Sequence, residues 1–147
     1  MWLFQLFYNT NKLIKNIENY FESAIEKFRT NFPDEDNIEL NFKKLKSDLG
    51  GHVFNGIAES IIGSDITVFE VSDSNPNVMI ELGTALTWNR RIIPLKKFNS
   101  PEIPSDISGQ HWIKYEDSGA KIHDIDLQEK LDIMVERSIK KKRKNAT

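Results

Sequence analysis

Two kinds of hydrophobic pattern alternate along the chain. Continuous apolar runs indicate strands buried on both faces of a parallel sheet, and apolar residues repeated every three or four positions indicate helices with one buried side. Runs of this kind at 2–8 and 66–71, together with the shorter segments 38–42, 91–95 and 111–115, are the candidate strands. We therefore expect five strands, each short and separated from the next by turn or helix signals.

Helical spacing is clearest in the first third of the chain. From Leu13 onward, apolar residues recur with Lys and Glu between them, and Thr10 or Asn11 is a candidate cap for this helix. A shorter helix is expected over 53–62, with Gly63 ending it.

Two further helices are predicted by their start signals. Asn75 followed by Pro76 is typical of a helix start, and the helix is expected to run to about Asn89. Asp126 and Glu129 have the spacing of a capping box, which predicts that the closing helix begins there.

The resulting order, β-α-β-α-β-α-β-loop-β-α, favours an α/β fold because parallel strands need crossover connections. We expect a flavodoxin-like, doubly wound parallel sheet of about five strands in the order 2-1-3-4-5. Ligands bind such sheets beyond the carboxyl ends of strands 1 and 3, where the winding direction reverses. The residues expected there are 8–11 and 72–77. This domain is expected to cover residues 1–136, with a basic tail over 137–147.

Composition narrows the classes of function. The chain has 147 residues, a formal net charge of −2 and no Cys, which excludes disulfides, thiol nucleophiles and Cys-ligated metals. Its apolar runs are too short to cross a bilayer, so we expect a cytoplasmic protein without membrane contact. Basic residues are concentrated in Lys140–Lys144 rather than over a whole face, so nucleic acid is not an expected partner.

The stretch 72–83, SDSNPNVMIELG, is the most informative segment for chemistry. It places the carboxylate of Glu81 near a helix start at the predicted ligand edge, where a carboxylate could balance positive charge on a ribose ring. We expect the helix dipole to keep Glu81 ionised at neutral pH. Asn77 lies one turn earlier and could orient Glu81. On spacing alone, the alternative that Asn75 is a cap and Glu81 an exposed surface acid stays open.

Other residues carry narrower expectations. Gly83, inside the helix, suggests that another part of the protein packs closely there. Glu70, in a buried strand, is expected either at an exposed strand end within the site or beside a base such as Lys96. Trp88 and Trp112 are expected in the core or at an interface.

The segment SDITVFEVSDSNPNVMIELGTAL, residues 64–86, resembles the signature of the deoxyribosyltransferase-like and TIR-like superfamily. In that pattern, a buried strand and a small polar loop precede an Asn-Val-x-x-Glu-Leu-Gly helix start. A second segment, EIPSDISGQHWIKYEDSG at 102–119, resembles the loop and last strand of bacterial TIR-like effector domains. Together the resemblances cover about residues 64–119.

The resemblance implies an N-glycosidase of the kind found in prokaryotic defence, which cleaves the nicotinamide–ribose bond of NAD or a related nucleotide. Glu81 is then the catalytic carboxylate. The residues implied to bind substrate are Tyr8, Asn9, Ser72, Asp73, Asn75 and Asn77. NAD is implied as substrate, with no cofactor, and self-association into a homo-oligomer is expected.

Departures from the pattern leave two alternatives. Deoxyribosyltransferases commonly carry a second acid where this chain has Asn75, although Asp73 could substitute for it. They also have a Gly in the loop after the first strand, where this chain has FYNT at 7–10. This favours NAD cleavage over nucleoside 2-deoxyribosyl transfer or another nucleotide N-glycosidase activity. A TIR-like module that binds a nucleotide or a partner without chemistry is the other alternative.

Other chemistry has less support in the sequence. The three His residues lack the spacing of a metal site, so no metal is expected. The glycine-rich signatures of dinucleotide oxidoreductases and of P-loop enzymes are both absent from the sequence.

Overall fold

A computed structural model gives the structure of the protein. It describes residues 2–6, 11–35, 38, 40–44, 51–72, 75–100, 112–118 and 121–146. The described residues form an α/β fold, which confirms the expected class. Its strands are β1 (Trp2–Leu6), β2 (Asn41–Lys44), β3 (Ile66–Glu70), β4 (Arg91–Lys97) and β5 (Ile113–Tyr115). Its helices are α1 (Asn11–Asn31), α2 (Gly51–Gly63), α3 (Pro76–Thr87) and α4 (Leu127–Ala146), with a 3-10 turn at Pro33–Glu35.

The strands pair in parallel in the order β2-β1-β3-β4-β5. In β3, all five side chains are buried, as expected for a strand covered on both faces. Side chains of a strand point alternately to its two faces, so Ile66 and Val68 contribute to one core cluster and Phe69 to another. The first cluster includes α1 and α4, and the second includes α2 and α3. The sheet therefore has helices packed on both faces.

The two long helices pack through the apolar faces that the spacing predicts. In α1, the buried residues are Leu13, Ile14, Ile17, Phe21, Ala24, Ile25 and Phe28. In α4, they include Leu127, Leu131, Val135 and Ile139. An ion pair between Lys27 Nζ and Asp132 Oδ2, 2.6 Å long, joins the two helices at their edge.

Several boundaries differ from the prediction. The second strand occupies 41–44 rather than 38–42; Ile38 is buried, and its carbonyl accepts a 2.6 Å hydrogen bond from Arg29 Nη2. Described β5 covers 113–115, and residues 7, 8, 39 and 111 of the expected strands lie outside the described residues.

The capping box predicted at the start of α4 needs correction. The capping box of Asp126 and Glu129 does not form, because the Asp126 N–H donates instead to Asp124 Oδ1 at 3.1 Å. The expected boundary at 136/137 lies inside α4, which continues through the basic run to Ala146.

Helix α3 ends two residues earlier than predicted, in a turn that fixes the following strand. Asn89 adopts a positive φ of 50°, the left-handed conformation that Asn tolerates better than most residues. The Arg90 N–H donates to the Ala85 carbonyl at 2.9 Å, and the Asn89 N–H donates to the Leu86 carbonyl at 3.0 Å. This pair of bonds is a Schellman motif, and it places Arg90 and Arg91 at the start of β4.

Candidate functional site

Helix α3 starts as the sequence predicts. The Asn75 side chain caps it, with Oδ1 accepting a 2.9 Å hydrogen bond from the Asn77 N–H, and Pro76 occupies the first helical position. The prediction that Asn75 caps this helix is therefore confirmed. Because its side-chain oxygen satisfies an otherwise unpaired N–H, Asn75 fixes where the helix begins and so where Glu81 lies.

Glu81 is not the exposed surface acid of that alternative. Its residue is 2% exposed, on the same side of α3 as the buried Val78, Leu82 and Ala85. In the part of the chain that the structure describes, the carboxyl oxygen Oε2 is buried without a hydrogen-bond partner. A buried polar atom without a partner is unusual and marks a candidate functional group.

Burial changes the protonation of this carboxyl. It raises the pKa of Glu81 from 4.5 to about 7, because the charged form loses its hydration. The expectation that the helix dipole keeps Glu81 ionised at neutral pH is therefore wrong. The loss of hydration raises the pKa by more than the dipole lowers it, because the effect of the dipole weakens beyond the first turn of a helix. Near pH 7 the carboxyl is about half ionised in the ligand-free protein.

Asn77 does not orient Glu81. Asn77 is exposed and Glu81 is buried, and the two side chains share no hydrogen bond. The close packing expected at Gly83 is also absent, since a Cβ built there meets nothing within 4 Å. Gly83 lies on the exposed side of α3, so its presence has no packing explanation among the described residues.

A second buried carboxylate, Glu70, lies at the end of β3. Its Oε1 accepts hydrogen bonds from the Ser72 N–H at 3.1 Å, from the Tyr115 hydroxyl at 3.0 Å and from the Ser72 hydroxyl. The Ser72 hydroxyl in turn accepts a 2.7 Å bond from the Lys97 N–H. We call Glu70, Ser72 and Tyr115 the strand-end cluster.

The strand-end cluster corrects both expectations for Glu70. It is 5% exposed, so it does not lie at an exposed strand end, and it is held by hydroxyl and N–H donors rather than by Lys96. The cluster ties together the carboxyl ends of β3, β4 and β5. Ser72, expected to bind substrate, has its hydroxyl engaged in this network. The sequence held one signal for this arrangement, which was an acid at the end of an otherwise apolar strand.

The remaining expected site residues divide into two groups. Ser72, Asn75 and Asn77 are described and all lie between β3 and the first turn of α3, close to Glu81 along the chain. Tyr8, Asn9 and Asp73 lie outside the described residues. Because β1 and β3 are neighbours, the chain leaves their carboxyl ends side by side.

The two Trp residues have different environments. Trp112 is partly buried against the cluster that α2 and α3 form. Trp88, at the end of α3, is 56% exposed and so is not in the core.

Across the described ranges, no three His, Asp or Glu residues are arranged to hold a metal ion. None of the helices described is long and apolar enough to cross a membrane.

Comparison with known proteins adds no assignment. No protein-family model matches the chain, and no curated protein is significantly similar to it in sequence. The functional argument therefore depends on the residues themselves.

Proposed function

We propose that the protein hydrolyses the N-glycosidic bond between nicotinamide and ribose in NAD or a related nucleotide, with Glu81 as the catalytic carboxylate. The observation that carries this proposal is the buried Oε2 of Glu81, which has no hydrogen-bond donor in the described structure. The resemblance of residues 64–86 to TIR-like and deoxyribosyltransferase-like proteins supplies the reaction class.

The chemistry needs little from the protein beyond a well-placed negative charge. As the bond from ribose C1′ to nicotinamide breaks, nicotinamide leaves as a neutral molecule with the electron pair, and positive charge develops on the ribose. Water then adds at C1′ and releases a proton. A carboxylate in a site of low dielectric stabilises the positive ribose more strongly than a hydrated one would.

Burial of Glu81 has two consequences for this reaction. Only the ionised fraction can stabilise positive charge, and the cationic nicotinamide of a bound NAD favours that form by lowering the carboxyl pKa. At 2% exposure, the carboxyl also needs the atoms that cover it to be displaced before it can contact a ribose. The need to displace these covering atoms favours the alternative, a TIR-like module that binds a nucleotide or partner without catalysing a reaction.

The fold around this site supports a flavodoxin-like, doubly wound reading. The support comes from parallel strands in the order β2-β1-β3-β4-β5 and from helices on both faces of the sheet. The winding direction of such sheets reverses between β1 and β3. The residues proposed to bind the nucleotide are Tyr8, Asn9, Ser72, Asp73, Asn75 and Asn77. Self-association and a cytoplasmic location remain parts of the proposal. The exposed side chains of Ile80 on α3 and of Trp88 directly after it support self-association.

The test incubates concentrated protein with NAD and measures the release of nicotinamide by chromatography. The Glu81→Gln variant is measured in parallel. The Gln side chain keeps the size of Glu but cannot carry charge. A parallel sample with a deoxynucleoside and a free base separates the alternatives: base exchange would indicate a deoxyribosyltransferase. Inactivity of the self-associated protein in both samples would favour the non-catalytic module.

A further inference from the structure

A cavity of about 380 Å³ lies at the end of the sheet where β3 and β4 begin. Its walls come from the α2–β3 turn, from the α3–β4 turn and from the last turns of α4. Ligands of parallel sheets bind at the opposite end, beyond the carboxyl ends of the strands. Glu81 does not line this cavity, so the cavity is separate from the proposed NAD site.

The charged residues around the cavity are mostly cationic. Arg90, Arg91, Lys141 and Lys142 line it together with a single acid, Asp65. The whole chain has a formal net charge of −2, so this is a local concentration of positive charge on an otherwise slightly acidic protein. A concave site of one charge sign focuses the electrostatic field and attracts ions of the opposite sign.

The protein itself neutralises only part of this charge. Lys142 Nζ pairs with Asp65 Oδ2 at 3.2 Å, whereas Arg91 Nη1 donates to a neutral group, the Ser138 hydroxyl, at 3.0 Å. The Arg90 Nε is buried and has no hydrogen-bond partner in the described structure. An unpaired buried donor on a cationic group is costly, and an anion that accepted a hydrogen bond from it would remove that cost.

The backbone holds the two Arg residues in place before any ligand arrives. Arg90 closes the Schellman motif at the end of α3, and Arg91 pairs with Ile66 as the first residue of β4. Both guanidinium groups therefore start from fixed backbone positions. Planar guanidinium groups match the oxygen geometry of phosphate, and a fixed position lowers the entropy cost of binding.

We propose that this cavity binds a small ligand that carries at least two phosphate groups, such as pyrophosphate or the polyphosphate of a nucleotide. Its volume lies in the range of small-molecule pockets. With Lys142 paired to Asp65, three cations remain, and a single phosphate group of about −1.5 to −2 charge would leave part of that positive charge unneutralised. A nucleic acid would need positive charge along an extended face, whereas these groups converge on one cavity.

The lysines of the basic run in α4 make two different kinds of contact. Lys141 and Lys142 line the cavity. Lys140 instead pairs with Glu136, and its Nζ lies 4.8 Å from the centroid of the Phe32 ring. Neighbouring lysines on this helix thus serve different contacts, and the positive charge at the chain end is not only a solvated helix terminus.

The experiment is isothermal titration of the full chain with pyrophosphate, comparing wild type with the double variant Arg90→Gln/Lys141→Gln. The matched control is Lys12→Gln/Lys15→Gln, which removes the same charge from the exposed side of α1. We expect saturable binding by wild type, weakened about tenfold or more in the cavity variant and about twofold or less in the control.

Two further variants keep the result interpretable. Arg90→Lys retains the charge but not the Nε donor, and it is expected to bind pyrophosphate more weakly than wild type with an unchanged circular dichroism spectrum. Glu81→Gln is expected to bind pyrophosphate as wild type does, so that failure of the NAD proposal would leave this one standing.

The outcomes that overturn the proposal are equally specific. It is wrong if wild type shows no saturable binding of pyrophosphate at millimolar concentration, or if the α1 control loses as much affinity as the cavity variant. A parallel titration uses a single-stranded oligonucleotide. The proposal is also wrong if the oligonucleotide binds more tightly than pyrophosphate and both double variants lose the same affinity for it, because this would indicate diffuse nucleic-acid binding. ATP in place of pyrophosphate distinguishes a nucleotide from an inorganic ligand.

Discussion

Glu70 and Glu81 are two buried carboxylates that lie on opposite faces of the sheet and differ in their hydrogen bonding. Oε1 of Glu70 accepts bonds from Ser72 and Tyr115, and Tyr115 belongs to the core cluster on the α1 and α4 face. Glu81 lies on α3, on the other face, and its Oε2 has no donor within the described residues. The carboxylate of Glu70 is therefore held by hydrogen bonds within the fold, whereas that of Glu81 is buried with an unpaired oxygen.

Replacing Glu81 is expected to change how stability depends on pH. The folded-state pKa of about 7 exceeds the 4.5 of an unfolded Glu, so the folded protein binds the proton more tightly. Stability is therefore lost as pH rises from about 4.5 to about 7, by up to about 3 kcal/mol. Glu81→Gln cannot ionise, so its stability relative to wild type should increase over this interval and then level off.

Urea unfolding at several pH values measures this difference. The control is Glu59→Gln, which replaces an exposed acid on the neighbouring helix α2 and shows whether loss of any carboxyl group gives the same profile. A flat profile for Glu81→Gln would mean that the carboxyl is hydrated in solution.

The same pKa predicts the pH dependence of catalysis. If the ionised carboxylate is the active form, kcat/KM for NAD should rise with pH to a plateau above an apparent pKa of about 7 in the free protein. In the complex, the positive nicotinamide lowers the carboxyl pKa, so the kcat profile should reach its plateau at lower pH. An activity that falls as pH rises through 7 would indicate that the protonated form is required instead.

Removing the Tyr115 hydroxyl is expected to weaken the strand-end cluster. Tyr115→Phe deletes a donor to a buried carboxylate and should lower the free energy of unfolding by about 1–3 kcal/mol. Tyr20→Phe is the matched control, because Tyr20 is half-buried and its hydroxyl makes no hydrogen bond in the described structure. Equal unfolding midpoints for the two variants would show that the bond to Glu70 contributes little.

Gly83 offers a stabilising substitution next to the proposed catalytic residue. A Cβ at this position meets no atom within 4 Å, so Gly83→Ala should raise the free energy of unfolding by about 0.5–1 kcal/mol through helix propensity. Thermal unfolding measures the gain. A stabilised variant that no longer self-associates or cleaves NAD would show that another molecule packs against this exposed position.

The sequence predicts the elements better than their ends. The apolar face of α1 and the start of α3 follow from local rules of spacing and capping, and both match the structure. Boundaries are predicted less well, since the Asp126 N–H at the start of α4 donates to Asp124 rather than to the predicted partner, Glu129. Local rules allow both partners, because Asp124 is only two residues away along the chain, so spacing alone does not decide between them.

For the candidate site, sequence reasoning identifies the acid but not its state. The position of Glu81 in the helix is readable from the motif, whereas its burial and raised pKa depend on what packs over α3. The contact of Glu70 with Tyr115 could not be found, because Tyr115 lies 45 residues away along the chain. The cationic cavity was invisible for the same reason: its lining comes from three separated segments.

The most direct test of the proposed function is nicotinamide release from NAD by concentrated wild-type protein, by Glu81→Gln and by Glu59→Gln in parallel. The account predicts release by wild type and by Glu59→Gln, and none by a folded, self-associated Glu81→Gln. Release by Glu81→Gln at the wild-type rate would contradict it, because the reaction would then proceed without the carboxylate on which the proposal depends.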